Sequence, residues 1–341
     1  MQYRRLGNSN LQVSVLCLGT MMFGDQTDKA EASRIIASAR KHGVNFIDTA
    51  DVYSSGAAEE MLGHLLTGQR HDWVLASKLG NSMSGTPNHA HYSRRWIIRE
   101  TDNILRRLAT DHLDILYLHR DFHEENLEEP VRAMGDLIRE GKIRYFGISN
   151  FRGWRIAEIV RLCRELGVPQ PVVCQPYYNL LNRGPEVEIL PACAHYGLGI
   201  VPYSPVARGV LTGKYLPGQT PAASTRAGRA DRRIMETEFR EESLHIAAQL
   251  GAHCAARGIL LSQFATAWVL ANTLVSSVIT GPRTLLQMED YYAAVELEIN
   301  TEDETLVNSL VTPGHASTPG YNDPSYPFFG RLVKAPGSLK S

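Results

Sequence analysis

Four side chains have the types and the order needed for acid catalysis at a carbonyl: Asp48, Tyr53, Lys78 and His119. A hydride delivered to a carbonyl carbon leaves an alkoxide that needs a proton. A tyrosine hydroxyl, with an ordinary pKa near 10, holds a suitable proton but releases it reluctantly at neutral pH. An ammonium beside it favours the phenolate and is expected to lower that pKa, while a carboxylate behind the lysine keeps the ammonium charged and oriented. An imidazole N–H can hold the carbonyl oxygen and help to polarise it. Taken singly, each residue reads more simply as a structural ion pair, a loop hydrogen bond or a packed aromatic with a wet hydroxyl. Their joint occurrence, in order and at the ends of apolar runs, gives the set its meaning.

Positioning them requires a frame that brings separated segments to one opening. Short apolar runs at 15–20 (VLCLGT), 44–48 (VNFID), 73–79 (WVLASKL), 113–119 (LDILYLH), 143–149 (IRYFGIS), 172–175 (VVCQ), 198–204 (LGIVPYS) and 276–281 (SSVITG) read as strands. They are β-branched and nearly continuous in hydrophobicity, as parallel strands buried on both faces are. Amphipathic helical stretches lie between them, such as KAEASRIIASARKHG, ending at Gly43, and SRRWIIRETDNILRRL, with Ser93 as N-cap. Eight strands, each followed by a helix, is the count of an α/β chain folded as a (β/α)8 TIM barrel. An open doubly wound sheet shares the alternation, but no GxGxxG follows the first strand. Barrel enzymes work at the C-terminal ends of their strands. Those ends hold Asp48 (with Tyr53 in the next loop), Lys78, His119, Ser149-Asn150, Gln175 and Tyr203-Ser204-Pro205.

Three segments fall outside the repeat. Residues 2–12 read as a hairpin turning at Asn8-Ser9 that could plug the barrel floor. Residues 204–240 form a long loop without strong periodicity, the kind that is usually a functional lid or disordered. The tail, 313–341, carries the aromatic run TPGYNDPSYPFFG and is expected to pack over the barrel. No linker interrupts the chain, so 1–341 reads as one domain.

Composition narrows the function classes. Of 341 residues, 43% are hydrophobic and 21% charged, as in a globular protein with a sizeable core. The net charge of −1 gives no electrostatic case for nucleic acid or an acidic membrane surface. Apolar stretches fall short of the roughly 20 residues of a membrane span, and MQYRRLGNSN lacks a signal-peptide core. Five cysteines with no CxxC suit a reducing compartment, so a cytoplasmic location is expected. His89 and His91, or His119 and His123, lack further partners at ligand spacing, so no metal is expected. HRDFHEEN (119–126) matches the kinase catalytic-loop pattern, but the Gly-rich loop and D-F-G that a kinase needs are missing. Cys174 reads as a small buried apolar residue. Nothing in the sequence speaks to oligomeric state.

The segment VNFIDTADVYSSGAAEEMLG closely resembles the aldo-keto reductase signature, and LASKLG, LYLHRD, GISNF, CQPYYNLLNR, VPYSPVARGVLTGKY and ITGPRT follow in the family's order. The resemblance runs from about residue 3 to about residue 310 and is similar to the potassium-channel β-subunit-like branch with a long seventh loop. It implies that Asp48, Tyr53, Lys78 and His119 are the family tetrad, with Tyr53 as proton donor. It also implies an NADPH site. Gly19, Thr20, Met21 and Asp48 would lie near the nicotinamide and its ribose. Ser149, Asn150 and Gln175 would bond the carboxamide, and Tyr203 would stack on the ring. Ser204, Pro205, Val206, Gly209, Leu211, Lys214 and Arg226 would wrap the pyrophosphate, which makes 204–240 a cofactor lid. Gly281, Arg283, Gln287, Asp290 and Tyr291 would hold the adenosine 2′-phosphate end, where a guanidinium favours NADPH over NADH. Tyr291 departs from the Asn that relatives often carry, and leaves two arrangements open: stacked on adenine or turned away. The expected activity is NADPH-dependent reduction of a small-molecule aldehyde or ketone. The alternative is an NADPH-binding regulatory or redox-sensing subunit with weak reductase activity. Phe23, Trp73 and the tail offer aromatic surface for a substrate.

Overall fold

The computed structural model describes residues 1–327, so Phe328, Phe329 and the rest of the expected tail lie outside the described residues. Strands β1 (Tyr3–Arg5) and β2 (Gln12–Ser14) form an antiparallel hairpin. The remaining strands are β3 (Leu16–Gly19), β4 (Phe46–Asp48), β5 (Val74–Leu79), β6 (Leu113–Leu118), β7 (Ile143–Ser149), β8 (Val173–Gln175), β9 (Gly199–Ile200) and β10 (Val278–Thr280). These eight pair in parallel in the order β10-β3-β4-β5-β6-β7-β8-β9. Single bridges Ile200–Val275 and Tyr203–Ile279, with the Ile279 amide donating to the Pro202 carbonyl at 2.9 Å, close β9 onto β10. The eight expected strands are all present and the architecture is the (β/α)8 barrel.

The seventh expected strand, 198–204, is much shorter as a ladder. Pro176 and Pro202 lack the N–H groups needed to continue it. Pairing therefore survives as separate contacts, such as the Tyr203 amide donating to the Pro176 carbonyl at 3.1 Å. The hairpin also differs in detail. Its loop spans the Leu6–Leu11 hydrogen bond of 2.9 Å rather than turning tightly at Asn8-Ser9. Side chains hold it: Ser9 Oγ donates to the Leu6 carbonyl at 2.6 Å, and Arg5 Nη2 to the Asn8 carbonyl at 2.9 Å.

Side chains alternate across a strand, and here the alternation sorts the core from the chemistry. Inward-facing Phe46, Val74, Ala76, Ile115, Tyr117, Val173 and Val201 fill the barrel with one apolar cluster, into which Leu6 and Val13 of the hairpin also pack. The hairpin thus closes the floor. Two residues beyond those apolar positions, on the same inward face, come Asp48, Lys78, His119, Gln175 and Tyr203. A second, larger cluster packs the outer strand faces against the helices. Those helices form where the sequence offers caps: Asp28 accepts from the Glu31 amide to start Lys29–Lys41, and Ser93 from the Trp96 amide to start Arg94–Arg107. The five cysteines are free and buried.

Candidate active site

The tetrad candidates converge at the C-terminal mouth. Lys78 is fully buried, and its ammonium donates to Asp48 Oδ1, to the Thr49 carbonyl at 2.8 Å and to Tyr53 Oη at 3.1 Å. Asp48 Oδ2 accepts from Gln175 Nε2 at 2.9 Å. Tyr53 begins a short turn, Tyr53–Gly56, in which Ser54 and Ser55 take left-handed backbone angles (φ 49° and 55°), and Ser54 Oγ donates to the Phe23 carbonyl at 2.9 Å. His119 sets its ring edge-on to Tyr53, centroids 6.1 Å apart.

Charge is matched within this group. Burial works against the Lys78 ammonium, but Asp48 and Tyr53 outweigh it, so its pKa rises and the lysine stays charged. Burial lifts Asp48 above its ordinary range, with Lys78 and Gln175 pulling it back. Lys78 does lower the Tyr53 pKa as the sequence suggests, but the net lowering expected from it does not hold. Burial raises the phenol's pKa, Lys78 lowers it, and Asp48 raises it again, for a net value above the ordinary one. The carboxylate that keeps the lysine charged also cancels much of its field at the phenol. Tyr53 therefore keeps its proton at neutral pH. Burial, Lys78 and Arg120 together push His119 well below the usual imidazole value, so its ring is neutral.

A cavity of about 580 Å³ opens beside Tyr53 and His119 and runs along the mouth. Gly19, Thr20, Met21 and Asp48 line one part of it, with Ser149, Asn150, Gln175 and Tyr203. Tyr203 Oη donates to Asn150 Oδ1 at 2.8 Å, and Asn150 Nδ2 to the His119 carbonyl at 3.1 Å. The long loop contributes Ser204, Pro205, Val206, Gly209, Lys214 and Arg226, and the last strand and helix add Gly281, Arg283, Gln287, Asp290 and Tyr291. Two expected members stand apart. Lys78 lies behind the lining, touching the cavity through its partners, and Leu211 is fully buried in the core outside the barrel. Phe23 and Trp73 are likewise core residues, so they give the cavity no aromatic surface. Tyr291 is buried at the cavity wall, its phenol pushed up to about 12 by burial.

Sequence reasoning missed Met22, Arg208, Thr212, Arg233, Leu260, Ser262, Ile279 and Thr280 in this lining, whereas Tyr326 comes from the tail expected to offer aromatic surface. Arg208 pairs with buried Glu238, and Arg233 with Asp323 of the tail at 2.8 Å. Tyr326 is set by the Arg152 guanidinium, which donates to its carbonyl at 2.6 Å, and by Arg120 over its ring. The arginines of the long loop and the aromatics of the tail are the signal that points to Arg208, Arg233 and Tyr326.

At the loop-built end cations outnumber the carboxylates Asp231 and Asp290. Partial burial and the neighbouring Arg283, Arg226 and Arg229 push the Lys214 pKa down. Arg226 pairs with Asp231 at 3.1 Å, yet its Nε is buried without a partner. Arg283 and Arg229 share the amide oxygen of Gln26. Gly209, at φ +101°, lets Lys214 approach closely, since a Cβ there would lie 2.6 Å from Nζ. Guanidinium and ammonium donors grouped this way are the kind of groups that bind phosphate.

The Aldo/keto reductase family model matches residues 15–312. The chain belongs to the aldo/keto reductase family. Such enzymes are oxidoreductases of small-molecule carbonyl compounds, and this aldo/keto reductase is one of them. It is 38% identical to a probable voltage-gated potassium channel subunit beta of Arabidopsis thaliana, over 87% of this chain and 92% of that protein. It is 35% identical to the uncharacterized oxidoreductase YrpG of Bacillus subtilis, over 94% and 98% of the two chains. It is also 30% identical to L-glyceraldehyde 3-phosphate reductase of Escherichia coli, over 92% and 93%. Among the described residues of this reductase no single helix is long and apolar enough to cross a membrane.

Proposed function

We propose that this aldo/keto reductase reduces an aldehyde or ketone to an alcohol with NADPH, Tyr53 acting as the general acid. The observation that carries the proposal is the contact of the Tyr53 hydroxyl with the Lys78 ammonium at 3.1 Å, on the wall of a cavity whose other end is a cationic cluster. That cluster suits a dinucleotide carrying an extra phosphate. Lys214 and Arg226 would hold the pyrophosphate and Arg283 the 2′-phosphate, with Ser149, Asn150 and Tyr203 holding the nicotinamide end. NADPH supplies the hydride when bound. Tyr53 brings the proton at its hydroxyl, already on Lys78, and Asp48 keeps that lysine charged. Neutral His119 offers an uncharged N–H that orients the carbonyl oxygen without competing as an acid. The loop 204–240 would serve as the cofactor lid.

Replacing Tyr53 with Phe tests this. NADPH binding should survive, while turnover falls by about 10²–10⁴-fold, the usual worth of general acid catalysis. Unchanged turnover would reject Tyr53 as the acid. The similarity to a probable channel β subunit supports a second reading, a cofactor-binding regulatory subunit. A panel of aldehydes and ketones that includes L-glyceraldehyde 3-phosphate, followed through the NADPH absorbance band, separates the two. Tight NADPH binding with no turnover on any of them favours the regulatory reading.

A further inference from the structure

A buried polar network lies behind the turn that carries Tyr53, and none of its members lines the cavity. Its centre is Glu59, fully buried in the first turn of the helix Ala57–Leu65 that continues from Tyr53–Gly56. One Glu59 oxygen accepts from Ser77 Oγ, the residue just before Lys78 on β5. The other accepts from Arg107 Nε at 2.7 Å, and Arg107 Nη2 also donates to Glu100 at 2.6 Å. Arg107 packs on Gly56, which closes the Tyr53 turn at φ +97°; a Cβ at that position would lie 3.0 Å from Arg107 Cδ. Asp51 completes the group: its amide donates to the Lys78 carbonyl at 3.1 Å, and its Oδ1 accepts from the Val52 amide at 2.7 Å.

Two buried carboxyls, on Glu59 and Glu100, therefore share the Arg107 guanidinium, while a third, on Asp51, lies in its field without bonding to it. Burial pushes the Glu59 carboxyl up to about 7, despite Arg107 and Ser77. A buried ion pair is weak support for stability alone, because a well-packed apolar group of the same size does as well. What this one does is connect two particular elements. The strand bearing Lys78 and the turn bearing Tyr53 meet through Glu59, and the 3.1 Å contact between phenol and ammonium depends on their relative placement.

We propose that Glu59 is a positioning residue for proton transfer: by tying the Tyr53–Gly56 turn to Ser77 and Arg107, it fixes the Tyr53 hydroxyl against Lys78. The proposal rests on the reading of Tyr53 as proton donor. Its test uses the full chain with Glu59→Ala, Glu59→Gln and Tyr53→Phe, measuring kcat with an aldehyde, NADPH Kd by fluorescence, and the effect of D2O on kcat. Misplacement of a catalytic group by a fraction of an ångström should lower kcat about 10- to 100-fold in Glu59→Ala while NADPH Kd stays within about twofold. The D2O effect should grow as proton transfer becomes more rate-limiting. Glu59→Gln, which keeps an acceptor for Ser77 but turns a donor toward Arg107, should recover the share of the loss that the strand contact carries. Should Glu59→Ala fail to fold, Ser77→Ala removes only the strand contact, and a smaller loss with the same D2O signature is expected. Full turnover in Glu59→Ala beside an inactive Tyr53→Phe overturns this proposal alone. So does a parallel loss of kcat and NADPH affinity with an unchanged D2O effect, the mark of general loosening. Full turnover in Tyr53→Phe removes the reading beneath it as well.

Discussion

At the strand-end part of the cleft, Lys78 is buried against Asp48, Tyr53 and a backbone carbonyl, with Gln175 on the far carboxylate oxygen. At the loop-built part, Lys214, Arg226, Arg229 and Arg283 crowd one another, and the Lys214 pKa falls through its partial burial first and their charge second. One group is arranged to satisfy its own charges, the other to attract charge of opposite sign. The difference follows from what carries them. Strand ends, with the turn after β4, fix these side chains in a dry, packed frame, where an uncompensated charge would be costly. The loop residues stand nearer to solvent, where like charges are screened and can be tolerated.

Removing a charge should therefore have opposite consequences at the two ends. The largest effect belongs to Lys78→Met, which strands Asp48 as an unpaired buried carboxylate and should cost about 3–5 kcal/mol of unfolding free energy. The paired variant Asp48→Asn/Lys78→Met should regain much of that in a denaturant titration, and if it does not, the two charges are not a compensated unit. Next comes Arg283→Ala. It should weaken NADPH by about 10- to 100-fold and NADH far less, as expected for losing a charged hydrogen bond of about 1.5–3 kcal/mol. Equal losses for both cofactors would move the 2′-phosphate elsewhere. Lys214→Met should leave the stability of the free protein within about 0.5 kcal/mol while still weakening NADPH, since it relieves repulsion rather than breaking a pair. The smallest effect concerns His119. Its depressed pKa means that the folded chain takes up no proton there as pH falls through about 6.5, whereas the unfolded chain does. Stability contributed by neutral His119 is thus present above that pH and lost below it. The His119 ring resonances should stay flat between pH 8 and 6.5, and a titration midpoint inside that range would contradict the burial argument.

Much of this arrangement is legible in the order of residues along the chain. Continuous apolar runs mark strands buried on both faces, and their C-terminal residues are the ones that reach the mouth, so counting along each strand locates Asp48, Lys78, His119 and Gln175. Asp28 and Ser93 announce helices through local chemistry. What pattern alone does not carry is the sum of opposing fields. A lowered Tyr53 pKa is the natural expectation from one neighbour, and it reverses once burial and Asp48 are included. Nor does pattern carry the direction of a side chain in an irregular loop. Leu211 faces the core while Arg208 and Gly209, close by, face the cavity, because the backbone there takes left-handed angles at Ala207, Arg208 and Gly209. Such angles at non-glycine residues occur also at Ser54, Ser55, Asn150 and Ser204 around the site and leave no mark in composition. Tyr326 is brought to the wall by long-range contacts with Arg120 and Arg152 as well as by its amide bonding the Asp323 carbonyl.

The place where the sheet meets itself carries one more consequence. β9 is two residues long, and the cylinder is sealed by isolated pairs, one of them between Tyr203 and Ile279. The same tyrosine binds Asn150 through its hydroxyl and presents its ring to the cavity. The seam and the reaction chamber thus share a stitch, and any ligand that presses on that ring also tightens or strains the join that keeps the cylinder shut.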